Sequence, residues 1–502
     1  MGGIIMRKII SYLNNNKLEF LSLVIVILIG IFLRNQLSFK KFILIYAVII
    51  IILSSIIIIL RKFDLNIEKK FLVIALPIGI MMLLAIPLGN IPDERAHLAR
   101  AWELSDFHLV SKISKDETTC GRELPIEIDL LFKENFNYRE TKENLFLNSG
   151  KKVFMGFPNT SLYSFASYLP QIIGIWLGRL LNLPTYVTAY LGRISNFIIW
   201  IFLIYNAIKL IPFCKKIVFF IALLPISLQE GISLSPDAIT FALSVFLFSY
   251  VINIIHRKGN LKKFDYALIS VSCILLALCK IVYLPLCLLI ILIPFKRFGS
   301  KKKKWIFIGS LASFVVFVSL LWLSCANEFL QFARFDSELQ KEFILSHPFN
   351  YLMVIMRTAV YKGGEIVDGL FSYRLESFNI EMPYLTYYGN MIAFSILCYK
   401  ESLSKSSCPK NMKLMIIFIV FSVFILINTS LYIQWTSPQA GMIDGIQGRY
   451  FLPIIFMIPM LFMKNDDKLK IEKDNHNNSI LYYFVIVQNI LAISFIIVSH
   501  LC

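Results

Sequence analysis

The stretch FILIYAVIIIILSSIIIIL, residues Phe42–Leu60, decides the fold class because it carries no charge over a length that can cross a bilayer. The whole chain has this character: of its 502 residues, 57% are apolar and only 16% are charged, and the mean hydropathy is +0.70. Soluble domains carry roughly a quarter charged residues, which excludes a soluble domain, a disordered chain and a secreted disulfide module. The nine cysteines form no CxxC or Cys/His cluster and give no zinc or redox signal. The sequence predicts an all-α polytopic membrane protein.

Thirteen apolar stretches are candidates for membrane spans, although the shortest are weak. They lie near residues 18–33, 42–60, 71–89, 186–208, 216–229, 234–256, 264–279, 281–296, 305–325, 386–400, 412–432, 448–463 and 480–500. The expected fold is therefore a bundle of about 13 transmembrane helices. We interpret the first stretch as a retained anchor, because no small-residue cleavage site follows it.

Two long polar loops, 90–160 and 326–385, interrupt the bundle. After the first loop, Ser161–Leu181 mixes apolar residues with tyrosine, glutamine and arginine, which predicts an amphipathic helix on the outer leaflet. Three regions follow from this pattern. They are a two-span N-terminal extension (1–70), a transmembrane domain (71–465) and a C-terminal linker with a last span (466–502).

The net charge of +18 is explained by membrane topology. More than half of the lysines and arginines fall in alternate short connections, which the positive-inside rule places in the cytoplasm. These connections lie within residues 7–17, 61–70, 209–216, 257–263, 296–304, 400–413 and 464–473. The N-terminus is then cytoplasmic, and both long loops face outside. We expect contact with anionic lipid headgroups and no nucleic-acid partner.

The most informative polar segment follows the third span and reads Pro92-Asp93-Glu94-Arg95-Ala96-His97-Leu98-Ala99-Arg100. On a helix, Asp93, His97 and Arg100 share one stripe, with Glu94 close by. Two carboxylates and an imidazole just above the lipid are suited to proton transfer. The alternative is plain helix capping with a solvated ion pair, because acids in a first turn favour the helix dipole.

Other outward connections carry isolated charges. Asp237 opens the sixth span, Lys280 interrupts an apolar hairpin, and Arg193 and Arg449 lie near the outer ends of two spans. Each has a structural alternative, such as a helix-end charge or a snorkelling side chain. Together these residues predict a site that deprotonates a hydroxyl and binds a phosphate-linked leaving group. The acids alternatively hold a divalent cation such as Mg²⁺ or Mn²⁺, with Asp93 and Glu94 as ligands.

These residues resemble the motifs of a bacterial membrane family known as domain of unknown function 2142, over roughly residues 70–465. The matching motifs, in order, are Pro92-Asp93-Glu94…His97…Arg100-Ala101, Tyr163…Tyr168-Leu169-Pro170-Gln171, Tyr190…Arg193…Asn196, Ser235-Pro236-Asp237-Ala238, Lys280…Tyr283…Pro285 and Gly448-Arg449-Tyr450-Phe451-Leu452-Pro453. That family in turn resembles the GT-C superfamily of glycosyltransferases, which use polyprenyl-phosphate sugars.

The resemblance implies an inverting glycosyltransferase in the bacterial cytoplasmic membrane, with its site facing outside. It would move a sugar from a polyprenyl-phosphate donor to a surface glycan or lipid acceptor. The implied roles are as follows: Asp93, Glu94 and His97 are catalytic; Arg193, Lys280, Arg449 and Tyr450 contact the donor phosphate or lipid; Arg100, Tyr163, Tyr168, Asp237 and Tyr283 are further site candidates. Beyond the divalent cation, no cofactor is implied.

Two other functions remain open. A surface-polysaccharide polymerase or ligase also acts on lipid-linked glycans outside the membrane, and the sequence hardly separates it from a transferase. A lipid-linked sugar transporter or flippase usually shows paired repeats and charges near the bilayer midplane. We find no convincing repeat, and the unusual charges lie near the outer interface.

Overall fold

The computed structural model describes residues 17–132, 149–377, 379–404, 406–466 and 479–501. Basic residues expected before residue 17, acids expected within 133–148 and the predicted linker at 467–478 lie outside the described residues. The α-helices are α1 (Lys17–Gln36), α2 (Phe39–Lys62), α3 (Ile67–Ala85), α4 (Glu94–Ser105), α5 (Ile126–Leu130), α6 (Pro158–Ser161), α7 (Leu169–Leu180), α8 (Thr185–Leu210), α9 (Lys215–Ala222), α10 (Pro225–Gly231), α11 (Asp237–His256), α12 (Lys263–Cys279), α13 (Lys301–Ala326), α14 (Ser337–Ser346), α15 (Pro348–Tyr361), α16 (Gly363–Leu370), α17 (Tyr384–Leu403), α18 (Lys410–Gln434), α19 (Leu452–Ile455) and α20 (Ser479–Leu501).

Helices dominate the fold, as predicted, and six of those described are long and apolar enough to cross a membrane. These six are Phe39–Lys62, Thr185–Leu210, Asp237–His256, Lys301–Phe332, Lys410–Gln434 and Ser479–Leu501. Three long helices, α8, α17 and α18, begin directly after a proline. Proline fixes φ near −65° and lacks an N–H, so it suits a helix start.

Three predicted spans are not single α-helices. The stretch 216–229 is split into α9 and α10, 281–296 forms 3₁₀-helices, and 448–463 mixes 3₁₀- and α-turns. Each break has a proline, which cannot donate the hydrogen bond that a helix interior needs. The 3₁₀-helices are Phe165–Tyr168, Ile281–Leu292, Phe295–Phe298, Asn327–Phe332, Gly448–Phe451 and Ile458–Phe462. The number of thirteen crossings stays a prediction.

The structure also contains small β-sheets, which the expected all-α fold did not include. The first long loop contains a three-stranded antiparallel sheet, and the second contains a short hairpin. The strands are β1 (Lys112–Ile113), β2 (Cys120–Pro125), β3 (Lys152–Gly156), β4 (Arg374–Leu375), β5 (Ile380–Glu381), β6 (Ser407–Cys408) and β7 (Lys464–Asn465). Lys112 pairs with Gly121 and Gly121 with Gly156, which fixes the register of the first sheet.

Several of the basic connections predicted to share one side meet in the structure. Leu261 N–H donates to Arg297 O at 2.8 Å, and β6 pairs in parallel with β7. Lys413 Nζ donates to the carbonyl of Met463. Connections from four parts of the chain therefore meet in two pairs.

The predicted amphipathic character is confirmed for α7, which covers the second part of the predicted stretch 161–181, whereas its place on the outer leaflet stays a prediction. It begins at Leu169 because Pro170 occupies its first turn. One face, with Gln171, Ile175 and Gly178, is buried, whereas Ile173 and Leu180 on the other face are 52% and 79% exposed. The buried face packs against α8.

The contact between α7 and α8 depends on small residues. A Cβ atom at Gly174 would lie 2.2 Å from the carbonyl oxygen of Leu191, and one at Gly178 would lie 2.5 Å from the hydroxyl oxygen of Thr188. Glycines four residues apart let two helices approach closely. On its other side α8 packs against α3 and α11, where Trp200 is fully buried.

We predict that Gly174→Ala destabilises the protein by about 1–3 kcal/mol, because the methyl group meets rigid backbone and forces α7 away from α8. The matched control is Gly309→Ala, since a Cβ atom at helical Gly309 would meet nothing within 4 Å. The measurement is the apparent Tm of the detergent-solubilised variants. Equal Tm values for the two variants would contradict the close-packing interpretation.

Candidate functional site

A small pocket brings together polar residues from distant parts of the sequence. Its volume is about 40 Å³, and we call it the charged pocket. It is lined by Asp93, His97, Asn159, Thr160, Tyr163, Asp237, Lys280, Arg449 and Tyr450. Seven of these nine residues are candidates from the sequence; the exceptions are Asn159 and Thr160, for which the sequence offers no signal.

Two cations and two acids form an ion-pair network at the charged pocket. Lys280 Nζ contacts Asp237 Oδ1, and Arg449 Nη1 lies 3.1 Å from Glu230 Oε1. Arg449 Nε also lies 3.8 Å from Asp237 Oδ2, so Asp237 faces both cations. The Lys280 and Asp237 side chains are each 12% exposed, and those of Arg449 and Glu230 are 5% and 1% exposed. The network is balanced in formal charge and mostly shielded from water.

Local structure places each member of this network at an element boundary. Asp237 is the first residue of α11, and Lys280 directly follows α12 in an extended conformation. Arg449 lies in a short 3₁₀-helix. Glu230, near the end of α10, was missed by sequence reasoning. An acid beside the apolar stretch 216–229 was an available signal, because buried charge near a membrane is costly and usually functional.

Tyrosine rings surround the two cations. Lys280 Nζ lies 5.3 Å from the ring centroid of Tyr163 and 5.2 Å from the ring centroid of Tyr450. The guanidinium carbon of Arg449 lies 5.4 Å from the ring centroid of Tyr450. Tyr283 O–H donates to the carbonyl of Tyr450 at 2.8 Å and holds its backbone. These cation–π contacts stabilise the ammonium group where water access is restricted.

Asp93 and His97 lie at the start of α4. Asp93 has φ of +59°, is exposed, and its carboxylate makes no hydrogen bond or ion pair with any described residue. Burial lowers the pKa of His97 to about 3, with Asp237 opposing this shift and Lys280 and Arg449 adding to it. His97 is therefore neutral near pH 7. The pocket thus combines a free carboxylate, a neutral imidazole and two paired cations.

Glu94, the other expected catalytic acid, lies in a different environment. Its two carboxylate oxygens accept hydrogen bonds from Arg193 Nε and Nη2, both at 2.7 Å, and from the N–H of Gly89 at 2.7 Å. Arg193 also donates to the carbonyls of Ile86 and Pro87 at 2.7 and 2.9 Å. Both side chains are fully buried, and neither lines the charged pocket. We therefore assign this pair, which we call the Glu94–Arg193 clamp, a structural role.

Arg100 and Tyr168 also lie behind the pocket rather than in its wall. Arg100 is fully buried, pairs with Glu103 and donates to the carbonyl of Tyr163 at 3.1 Å. Tyr168 is fully buried, and its hydroxyl lies 2.8 Å from His97 Nδ1. These two residues support residues that do line the pocket.

The residues do not fit the divalent cation expected on Asp93 and Glu94. Glu94 uses both of its oxygens for Arg193 and Gly89, and Asp237 and Glu230 face cations. Within the described ranges, no group of three His, Cys, Asp or Glu side chains forms a metal site.

A larger apolar cavity of about 340 Å³ shares a wall with the charged pocket. Tyr163, Lys280 and Tyr450 line both spaces. The rest of the cavity wall comes mainly from the start of the Ile281–Leu292 helix, from α13 through Ser319, Trp322 and Leu323, and from α18. In the most apolar part of the helical segment Lys301–Phe332, which contains α13, only 17% of the residues are buried. In that of α18 the share is 28%. The cavity is therefore bounded by two helices that the described residues leave mostly uncovered.

The chain belongs to the family described as predicted membrane protein (DUF2142), whose family model matches residues 76–458. This match confirms the family resemblance inferred from the sequence motifs, and every residue that lines the charged pocket falls within it. Comparisons with curated proteins and with solved structures gave no match.

We predict that Glu94→Gln lowers the stability by about 3–5 kcal/mol, because Arg193 would stay buried without a counter-charge. The adjacent variant Asp93→Asn is the matched control and should keep a wild-type apparent Tm, since Asp93 is exposed. The double variant Glu94→Gln/Arg193→Gln should recover part of the loss. A wild-type Tm for Glu94→Gln would contradict the structural role of the clamp.

Proposed function

We propose that this protein is an inverting glycosyltransferase that moves a sugar from a polyprenyl-phosphate donor to a glycan or lipid acceptor. The observation that carries the proposal is the shared wall: Lys280 and two tyrosines border both a charged pocket and an apolar cavity. A lipid-linked phosphate has a matching form, with an anionic group joined to a hydrocarbon chain.

The donor phosphate would contact Lys280 and Arg449, and its lipid would extend into the apolar cavity between α13 and α18. Lysine acts on phosphate as a point charge and arginine as a fork. Because both cations are already paired with carboxylates, the phosphate would have to compete with Asp237 and Glu230. Binding would then release Asp237 from Lys280.

Asp93 is the proposed base, because its carboxylate is the acid of the pocket without a described partner. The acceptor hydroxyl oxygen would attack the anomeric carbon and transfer its proton to Asp93. The bond between that carbon and the phosphate oxygen would break, and its electron pair would leave with the phosphate. Lys280 and Arg449 would meet the negative charge that develops there.

We further propose that the helices form a GT-C-like bundle of about 13 crossings in a bacterial cytoplasmic membrane, with the N-terminus in the cytoplasm and the charged pocket outside. The contacts between basic connections, which meet in two pairs, support this alternation. The acceptor would approach over the two outer loops, and membrane lipids would surround the bundle, with no role for nucleic acid.

We predict that Asp93→Asn, introduced in the chromosome of the host, removes one specific sugar substituent from the purified surface glycans. Composition and linkage analysis measures this, after membrane levels of the variant have been matched to wild type. Glu123→Gln, which changes an exposed acid on β2, is the control and should leave the glycans intact. Changed chain length at constant composition would favour the polymerase or ligase. Unchanged glycans would reject the proposed base.

We predict that a polyprenyl phosphate raises the apparent Tm of the purified protein but not that of Lys280→Met. A ligand at 100 times its Kd stabilises by about 2.7 kcal/mol. Arg374→Met is the control, because Arg374 is a half-exposed cation paired with Glu381 in the β4–β5 hairpin. If Lys280→Met folds poorly, Asp237→Asn/Lys280→Met avoids leaving an unpaired acid. An equal shift in the Lys280 variants would reject the phosphate contact.

A further inference from the structure

The contact between His97 and Tyr168 decides which ring nitrogen of His97 carries a proton. Tyr168 is 0% exposed, and its hydroxyl makes one hydrogen bond within the described parts of the chain, to His97 Nδ1 at 2.8 Å. Burial raises the pKa of this phenol, so it keeps its proton. A buried hydroxyl needs an acceptor for its hydrogen, and Nδ1 is the acceptor within reach.

The two possible directions of this hydrogen bond are unequal. If Nδ1–H donated to the phenol oxygen, the phenol hydrogen would be buried without an acceptor, which is costly. If the phenol donates to Nδ1, both groups are satisfied and the remaining proton of the neutral ring lies on Nε2. His97 Nε2 has no hydrogen-bond partner among the described residues, and His97 lines the charged pocket.

We propose that Tyr168 fixes His97 in the tautomer protonated on Nε2, so that His97 offers a neutral N–H donor to the charged pocket. In this form Nε2, the nitrogen that faces the pocket, carries a hydrogen, so it has no free lone pair and cannot accept a proton. His97 is then a hydrogen-bond donor for an anionic oxygen, and Tyr168 is its positioning residue. The identification of that oxygen with the donor phosphate rests on the proposed function, whereas the tautomer does not.

Burial favours the neutral state of His97 across the physiological range. The titratable groups that face it come from its own helix start and from other parts of the chain; they are Asp93, Tyr163, Tyr168, Asp237, Lys280, Arg449 and Tyr450. Burial lowers the pKa of His97 most; Asp237 opposes this shift, and the two cations, Lys280 and Arg449, add to it. We therefore expect no titration of His97 between pH 5 and pH 8.

The tautomer is measured by ¹⁵N NMR on the full chain labelled with ¹⁵N-histidine, using His97→Asn to assign the signal. We expect one protonated nitrogen, Nε2, and one hydrogen-bonded unprotonated nitrogen, Nδ1. Tyr168→Phe should give a mixture of tautomers. Tyr163→Phe is the control, since that ring lies 6.2 Å from the imidazole, centroid to centroid, and should not change the signal. A proton on Nδ1, or a charged ring at pH 7, would overturn the proposal.

The donor role is measured by the affinity for a short-chain polyprenyl phosphate. A glutamine amide can replace Nε2–H as a neutral donor but cannot replace a base. We therefore expect His97→Gln to stay within about threefold of wild type and His97→Ala to lose about tenfold or more, as for a hydrogen bond to a charged group. Equal losses in both variants would overturn the donor role. Absence of any binding to wild type, with the expected NMR result, would reject the proposed function alone.

Discussion

The arrangement of the site depends on the buried ion pair between Glu94 and Arg193. This clamp joins the start of α4 to the first half of α8 and also binds the carbonyls of the connection that follows α3. Because Glu94 is directed inward, the preceding residue, Asp93, is the acid left at the pocket, in a left-handed conformation that Asp tolerates better than most residues. A pair of neighbouring carboxylates is thus divided between two tasks, one holding the backbone and the other facing the pocket.

Sequence reasoning identified which residues meet better than it identified what each does. Charge isolated among apolar residues pointed to Lys280 and Arg449, because such residues are costly near a membrane unless they have partners. The same signal cannot distinguish a pocket cation from a clamp such as Arg193, since both are buried and paired. Glu230 carried a similar signal, but its pairing with Arg449, which lies 219 residues away, could not be predicted. Pairing over that distance is set by tertiary packing, which local patterns do not contain.

The expected helical character was confirmed, but the continuity of the spans was not. Hydropathy measures whether a segment tolerates lipid, and it does not register where a proline removes a backbone donor. The breaks help to position the charged side chains, because Glu230 lies in short helix α10, just after the predicted stretch 216–229, and Arg449 lies in a short 3₁₀-helix within 448–463. In a continuous helix, the direction of each side chain is fixed by its position around the helix axis. Short helices and turns remove this restriction and let the side chains converge on one pocket.

The 3₁₀-helix Ile281–Leu292 has a consequence for how this chain can vary in length. Its twelve residues reach about 24 Å, against about 18 Å for an α-helix of the same length. With three residues per turn, Tyr283, Leu286 and Leu289 form a straight buried row along it. An insertion or deletion in this segment keeps that row in line with Lys280 only when it adds or removes three residues. Length variation among natural relatives of this protein should therefore occur here in steps of three.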